Sequence, residues 1–268
     1  MINKEKVIRH FMINLKKLIS LFKTKKSPKA IVYILGYGRS GTSILINLFA
    51  HLFNVDAHGE ASNLVMKNFQ LDNSKMNRLI DYNRFDVIAL KPILNSCDAK
   101  EILNETHNRS RIIWLYRDYK DVVCSALKMF GIRVSIELRE VVIEGKKDGW
   151  ISNQIHKQEL EILRSLDVLL LTNTDWMALV WWFVNHTIIR ESLFDDDNFI
   201  IIEYNDLVKN PKLYIDYVNR FCSFKENHLY KYIDSSKIGK GNAIILSKSV
   251  ENMCDELYIK LMSSKIKL

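Results

Sequence analysis

Proline and glycine are scarce in this chain, three and nine residues of 268, so long flexible linkers are not expected. No internal repeat or low-complexity tract is present, which leaves one large α/β domain with a full core as the expected organisation. Cysteine is sparse as well. Cys97, Cys124, Cys222 and Cys254 are far apart, form no C-x-x-C pair and have no nearby histidine pattern. That argues against a zinc site or a disulfide framework and for a reducing compartment. Long uncharged apolar runs are missing too. Arg9, Lys16 and Lys17 break the apolar stretch near the N-terminus, so it is too charged to span a bilayer. It also lacks the clean apolar core and small-residue cleavage site of a signal peptide.

Excess charge is confined to one segment. Residues 1–30 hold nine basic side chains and one acid, Glu5, whereas the remaining residues hold 30 basic and 30 acidic ones. The net charge of +8 therefore belongs to the N-terminal segment, and the body is not a nucleic-acid surface by composition. Ile8, Phe11, Leu15, Leu18 and Phe22 fall on one helical stripe, with Arg9, Lys16, Lys17 and Lys23 on or beside the other face. Residues 1–29 read as a basic amphipathic segment ahead of a domain spanning 30–268. One reading lays this segment on an anionic membrane surface; the other packs it on the domain or leaves it a poorly ordered leader.

A lysine is absent from the place where it is most expected. The apolar run Ile31–Leu35 leads into Gly36-Tyr37-Gly38-Arg39-Ser40-Gly41-Thr42-Ser43 and then into an apolar helical run from Ile44. The two glycines Gly36 and Gly41 fit the G-x-x-x-x-G frame of a Walker A loop, but Thr42 stands where its lysine belongs. Such a loop still offers backbone N–H groups and a helix N-terminus to a phosphate. Arg39 adds a positive side chain. A phosphorylated nucleotide other than a conventional triphosphate is the ligand this favours.

Further strands are legible at Asp86–Lys91, stopped by Pro92, at Arg111–Arg117, and at Asn198–Tyr204. Helical spacing runs from Asp118 to Phe130, and another helix opens near Pro211. Thr174-Asp175 reads as the cap of a long helix from Trp176 to Leu193, with Trp181, Trp182 and Phe183 as core. Alternating strands and helices imply a parallel sheet covered on both faces, with ligands at the carboxyl ends of its strands. Arg39, Lys91 and Arg117 all stand at such ends.

These residues resemble the sulfotransferases that use 3′-phosphoadenosine 5′-phosphosulfate (PAPS). The loop Gly36–Ser43 is similar to that family's 5′-phosphosulfate loop. Arg117-Asp118-Tyr119-Lys120-Asp121-Val122-Val123-Cys124-Ser125 is similar to its 3′-phosphate motif, an arginine at a strand end with a serine eight residues on. Ile202–Pro211 looks like its late strand and turn, with Asn205 in place of an acid. The resemblance implies a P-loop NTPase-like three-layer fold around a central parallel sheet. It implies that Gly38, Arg39, Ser40, Gly41, Thr42 and Ser43 hold the 5′ end of PAPS and that Arg117 and Ser125 hold its 3′-phosphate. It offers Tyr204 as a stacking partner for adenine, and Lys237 and Lys240 as part of a basic glycine loop over the 3′-phosphate. Blander readings stand beside these: an ion pair of Arg117 with Asp118 or Asp121, a helix-face Ser125, a solvated Lys91 and a buried strand-end Tyr204.

Sulfuryl transfer needs the acceptor hydroxyl, the sulfur and the leaving oxygen in line, with charge on the leaving phosphate stabilised. Arg39 and Lys91 are the candidates for that stabilisation, and no metal is called for. Cytosolic sulfotransferases carry a histidine two residues after the strand lysine; here that residue is Ile93. His58-Gly59-Glu60 is similar instead to the glutamate-base arrangement of tyrosylprotein and many bacterial carbohydrate sulfotransferases. Glu60 is then the expected general base, with His58 as runner-up. The implied function is sulfuryl transfer to a hydroxyl acceptor, favouring a carbohydrate or glycan precursor, in the cytoplasm or on the cytoplasmic face of a membrane. The competing readings are a P-loop kinase using ATP with Mg²⁺ and a membrane-associated nucleotide-binding protein without catalysis.

Overall fold

The computed structural model describes residues 15, 16, 18, 22–105, 109–224, 228–233 and 244–264. Seven strands occur among them: β1 (Ala30–Leu35), β2 (Val55–His58), β3 (Met66–Lys67), β4 (Gln70–Leu71), β5 (Val87–Leu90), β6 (Ser110–Tyr116) and β7 (Phe199–Glu203). Five of them form one sheet in the order β2-β5-β1-β6-β7. Every pairing in it is parallel. The strands β3 and β4 form a separate antiparallel hairpin.

The apolar runs become strands buried on both faces, as a parallel sheet requires. Every residue of β1, β5 and β7 is buried. Alternation then splits the core in two. Ile31, Tyr33, Leu35, Ile112 and Trp114 point to one layer, built on the helix Asn173–Arg190. Val32, Ile34, Ile113, Leu115 and Ile202 point to the other, formed by the helices Thr42–Phe49 and Pro211–Phe221. The result is the expected three-layer fold of the P-loop NTPase type.

The long helix starts earlier than its sequence signal. Its cap is Thr172, whose Oγ1 accepts from the Asp175 N–H at 3.2 Å while the Asp175 carboxylate accepts from the Thr172 N–H at 2.9 Å. Thr174-Asp175 therefore lies inside the first turn, and the helix ends at Arg190 rather than Leu193. Trp181, Trp182 and Phe183 are buried as expected. Trp181 Nε1 also donates to the Arg117 carbonyl at 3.1 Å, which fixes the end of β6.

What is described of the N-terminal segment packs on the domain. Lys26 pairs with Asp86 at 2.7 Å, and Asn83 Nδ2 donates to the Lys26 carbonyl at 2.9 Å. Lys16 is buried and donates to the Ala50 carbonyl at 2.8 Å. Burial lowers the Lys16 pKa to about 8. Asp86 precedes β5, so these contacts hold the amino-terminal edge of the sheet. Among the described residues no helix is long and apolar enough to cross a membrane. Most of residues 1–21, and Lys237 and Lys240, lie outside the described residues.

Candidate active site

The turn between β1 and its helix closes only because two positions carry no side chain. Gly36 has φ +124°, and a Cβ there would run into the Leu115 carbonyl oxygen of the neighbouring strand. Gly41 has φ +95°, and a Cβ there would collide with the Tyr204 ring. Gly41 caps the helix Thr42–Phe49 without a side-chain bond, so no cap side chain competes for its first-turn N–H groups. Arg39 also has positive φ, +74°, a strained geometry for an arginine.

Neighbouring strand ends bring the catalytic candidates together. His58 of β2 lies in register with Leu90 of β5, and the Lys91 N–H donates to the His58 carbonyl at 3.0 Å. Glu60, two residues beyond β2, thereby meets Lys91, one residue beyond β5, in a close ion contact. Lys91 Nζ also donates to Ser43 Oγ of the phosphate loop at 2.8 Å. The positive charge missing at Thr42 is thus delivered from the adjacent strand. Lys91 is buried rather than solvated. Burial, and then the charge of Arg39, lower its pKa to about 8. His58 is engaged locally, with Nε2 3.2 Å from an Asp56 carboxylate oxygen and Nδ1 3.1 Å from Ser62 Oγ.

The two anion motifs face one cavity of about 420 Å³. Arg39, Gly41, Thr42 and Ser43 line it from the loop, and Arg117, Ser125 and Tyr204 from the other side. Arg39 Nε donates to Ser125 Oγ at 2.9 Å, so the two motifs touch. Arg117 pairs with Asp121 at 2.7 Å and also lies over the Tyr204 ring at 4.5 Å. Tyr204 is buried, lines the cavity and carries Arg117 over its ring. Two loop residues stand apart from this cavity. Gly38 lines a second cavity, and Ser40 is buried beneath the loop with its Oγ lacking a hydrogen-bond partner.

Sequence reading missed Asp121, Cys124 and Lys128, which line the same cavity. The signal was available: Asp121, Ser125 and Lys128 share one face of the helix Tyr119–Phe130 at i, i+4 and i+7. The cavity fits an anionic nucleotide on the donors present: two arginines, a lysine and the hydroxyls of Thr42, Ser43 and Ser125.

Gly38 of the loop and Glu60 line the second cavity, of about 300 Å³. Tyr37, Phe69, Ile93, Leu94, Phe130, Val134 and Trp150 complete its lining, and Glu60 is the charged residue among them.

A parallel sheet with a lysine-free phosphate loop and two anion motifs facing one cavity defines a nucleotide-dependent group-transfer fold. A family model described as a sulfotransferase domain matches residues 29–251, and the chain belongs to the sulfotransferase family. It is thus an enzyme of the PAPS-dependent class that its motifs resemble. Among solved structures it is similar to the sulfotransferase domain of the Synechococcus PCC 7002 olefin synthase, at 13% identity over 90% of this chain and 98% of that one, TM-score 0.55. The sulfotransferase domain from the curacin biosynthetic pathway matches at 14% identity over 87% and 99%, TM-score 0.56. Mouse sulfotransferase SULT7A1 complexed with PAP matches at 14% identity over 92% and 88%, TM-score 0.48. No curated protein matches in sequence.

Proposed function

We propose that this chain transfers the sulfuryl group of PAPS to a hydroxyl acceptor, with Glu60 as general base and Arg39 and Lys91 as the charge stabilisers. The contact of Lys91 with both Ser43 and Glu60 carries the proposal, because it joins the phosphate loop to a carboxylate at the mouth of a second cavity. The acceptor oxygen forms a bond to sulfur as the bond from sulfur to the bridging 5′-phosphate oxygen breaks. The hydroxyl proton passes to Glu60, and the electron pair leaves on the 5′-phosphate of 3′-phosphoadenosine 5′-phosphate (PAP). Arg39 and Lys91 offset the charge that grows there. Arg117, Ser125 and Lys128 hold the 3′-phosphate, which requires Arg117 to share itself between Asp121 and the ligand.

Thermal stability tests the donor. PAP raises the melting temperature through mass action, about 2.7 kcal/mol at a hundredfold excess over its dissociation constant, and Arg117→Ala removes most of the rise. A shift with ATP and Mg²⁺ but none with PAP would establish the kinase reading instead. A glycan acceptor, the class anticipated from Glu60, needs polar partners along the sugar; the cavity beside Glu60 supplies mainly apolar ones. The basic segment before residue 30 is our candidate contact for anionic lipid on the cytoplasmic face. Leu18 and Phe22 are exposed near Lys23 and Lys25 there, and salt-reversible flotation with anionic vesicles is the expected behaviour.

A further inference from the structure

The hairpin β3–β4 turns on two residues, Asn68 and Phe69, both with positive φ, +53° and +64°. A two-residue turn of this kind favours Asn followed by Gly, because only small or special residues take left-handed geometry cheaply. Asn68 obeys that preference and Phe69 violates it. Packing does not explain the violation, since Phe69 is 55% exposed. Its ring nevertheless lines the cavity that contains Glu60. Strain at an exposed aromatic beside a reacting group points to a ligand that covers the ring.

The surrounding wall is held firmly. The Leu71 N–H donates to Asn95 Oδ1 at 2.9 Å, which seats the hairpin on the turn Ile93–Asp98, and Lys75 Nζ donates to the Met66 carbonyl at 2.8 Å, which ties it to the helix Asn73–Asp81. Trp150 Nε1 donates to the Leu94 carbonyl at 2.8 Å, which fixes the indole across the cavity. Phe130 stands at the rim, 40% exposed. Four aromatic side chains, Tyr37, Phe69, Phe130 and Trp150, thus surround a space that the Glu60 carboxylate also lines.

We infer that the acceptor is an alcohol or phenol with a compact apolar body, clamped by Phe69 against Phe130 and Trp150, and that Phe69 selects it. The inference rests on the proposed function in that Glu60 receives the acceptor hydroxyl. A cavity of about 300 Å³ holds about ten groups of the ~30 Å³ that a water molecule occupies in the liquid. That matches a small ring system or short chain. A sugar would leave most of its hydroxyls against hydrocarbon.

Calorimetric titration of 2-naphthol, 1-octanol and methyl β-glucoside tests the inference, each with and without PAP, on wild type and Phe69→Gly. The expected result is at least tenfold tighter binding of an apolar probe than of the glucoside, weakened at least tenfold by Phe69→Gly. The same variant melts at a higher temperature, because glycine relieves the turn, and keeps its PAP affinity. Glucoside binding as tight as either apolar probe, no binding of either apolar probe, or unchanged affinity in Phe69→Gly overturns the inference. Failure of PAP itself to bind counts separately, against the donor reading.

Discussion

Lys91 shows how one buried residue couples the two cavities. It is charged below about pH 8, and burial is the first reason its proton is held loosely. The positive charge beside the phosphate loop therefore fades as pH rises through about 8. The transfer rate constant kcat is expected to fall along an alkaline limb there, and Lys91→Arg, which keeps its charge, should move the limb upward. A pH profile of both proteins checks this. Stability carries the opposite sign. Between about 8 and the unfolded value near 10.4 the unfolded chain binds more protons, so this group's contribution to stability rises with pH. Arg39, Lys91 and Arg117 could be read from sequence because a polar residue after an apolar strand marks a strand end. The Lys91–Glu60 contact could not, since it depends on β2 pairing beside β5.

At the level of elements, the loop and its helix form a unit whose geometry is set by Gly41. Gly41→Ala adds a Cβ at φ +95° against the Tyr204 ring, the same ring that supports Arg117. It is expected to cost about 1–3 kcal/mol of stability and to weaken PAP binding, as chemical denaturation and a PAP titration would show. The central strands were legible because each is an uninterrupted apolar run buried on both faces. The strand β2 was not, because Val55-Asp56-Ala57-His58 is a short edge segment with alternating polar residues. The hairpin β3–β4 was unread for a different reason: a positive φ at Phe69 leaves no mark in composition or spacing. The cap of the long helix was misplaced by two residues, because Thr172 and Thr174 both precede Asp175 at plausible spacing.

Across the whole molecule, the carboxyl edge of the sheet gathers the chemistry and the amino edge takes the described part of the basic segment. The four cysteines report on this arrangement. Cys97, Cys222 and Cys254 are buried, and burial raises each thiol well above its usual value, Cys97 to about 12. Cys124 is partly exposed and lines the cavity proposed for the nucleotide. Native protein is therefore expected to react with a thiol reagent at Cys124 alone, with PAP protecting it, and at all four positions once unfolded. Rapid native labelling at a second cysteine would contradict this packing.

In the reading we propose, Glu60 takes the acceptor proton beside a PAPS site. The most direct measurement is the rate of sulfuryl transfer from PAPS by wild type and Glu60→Gln, alongside the dissociation constant for PAP. Removal of the base is expected to lower kcat by about 10²–10⁴ with PAP affinity unchanged. Transfer at nearly the wild-type rate in Glu60→Gln would rule out Glu60 as the base.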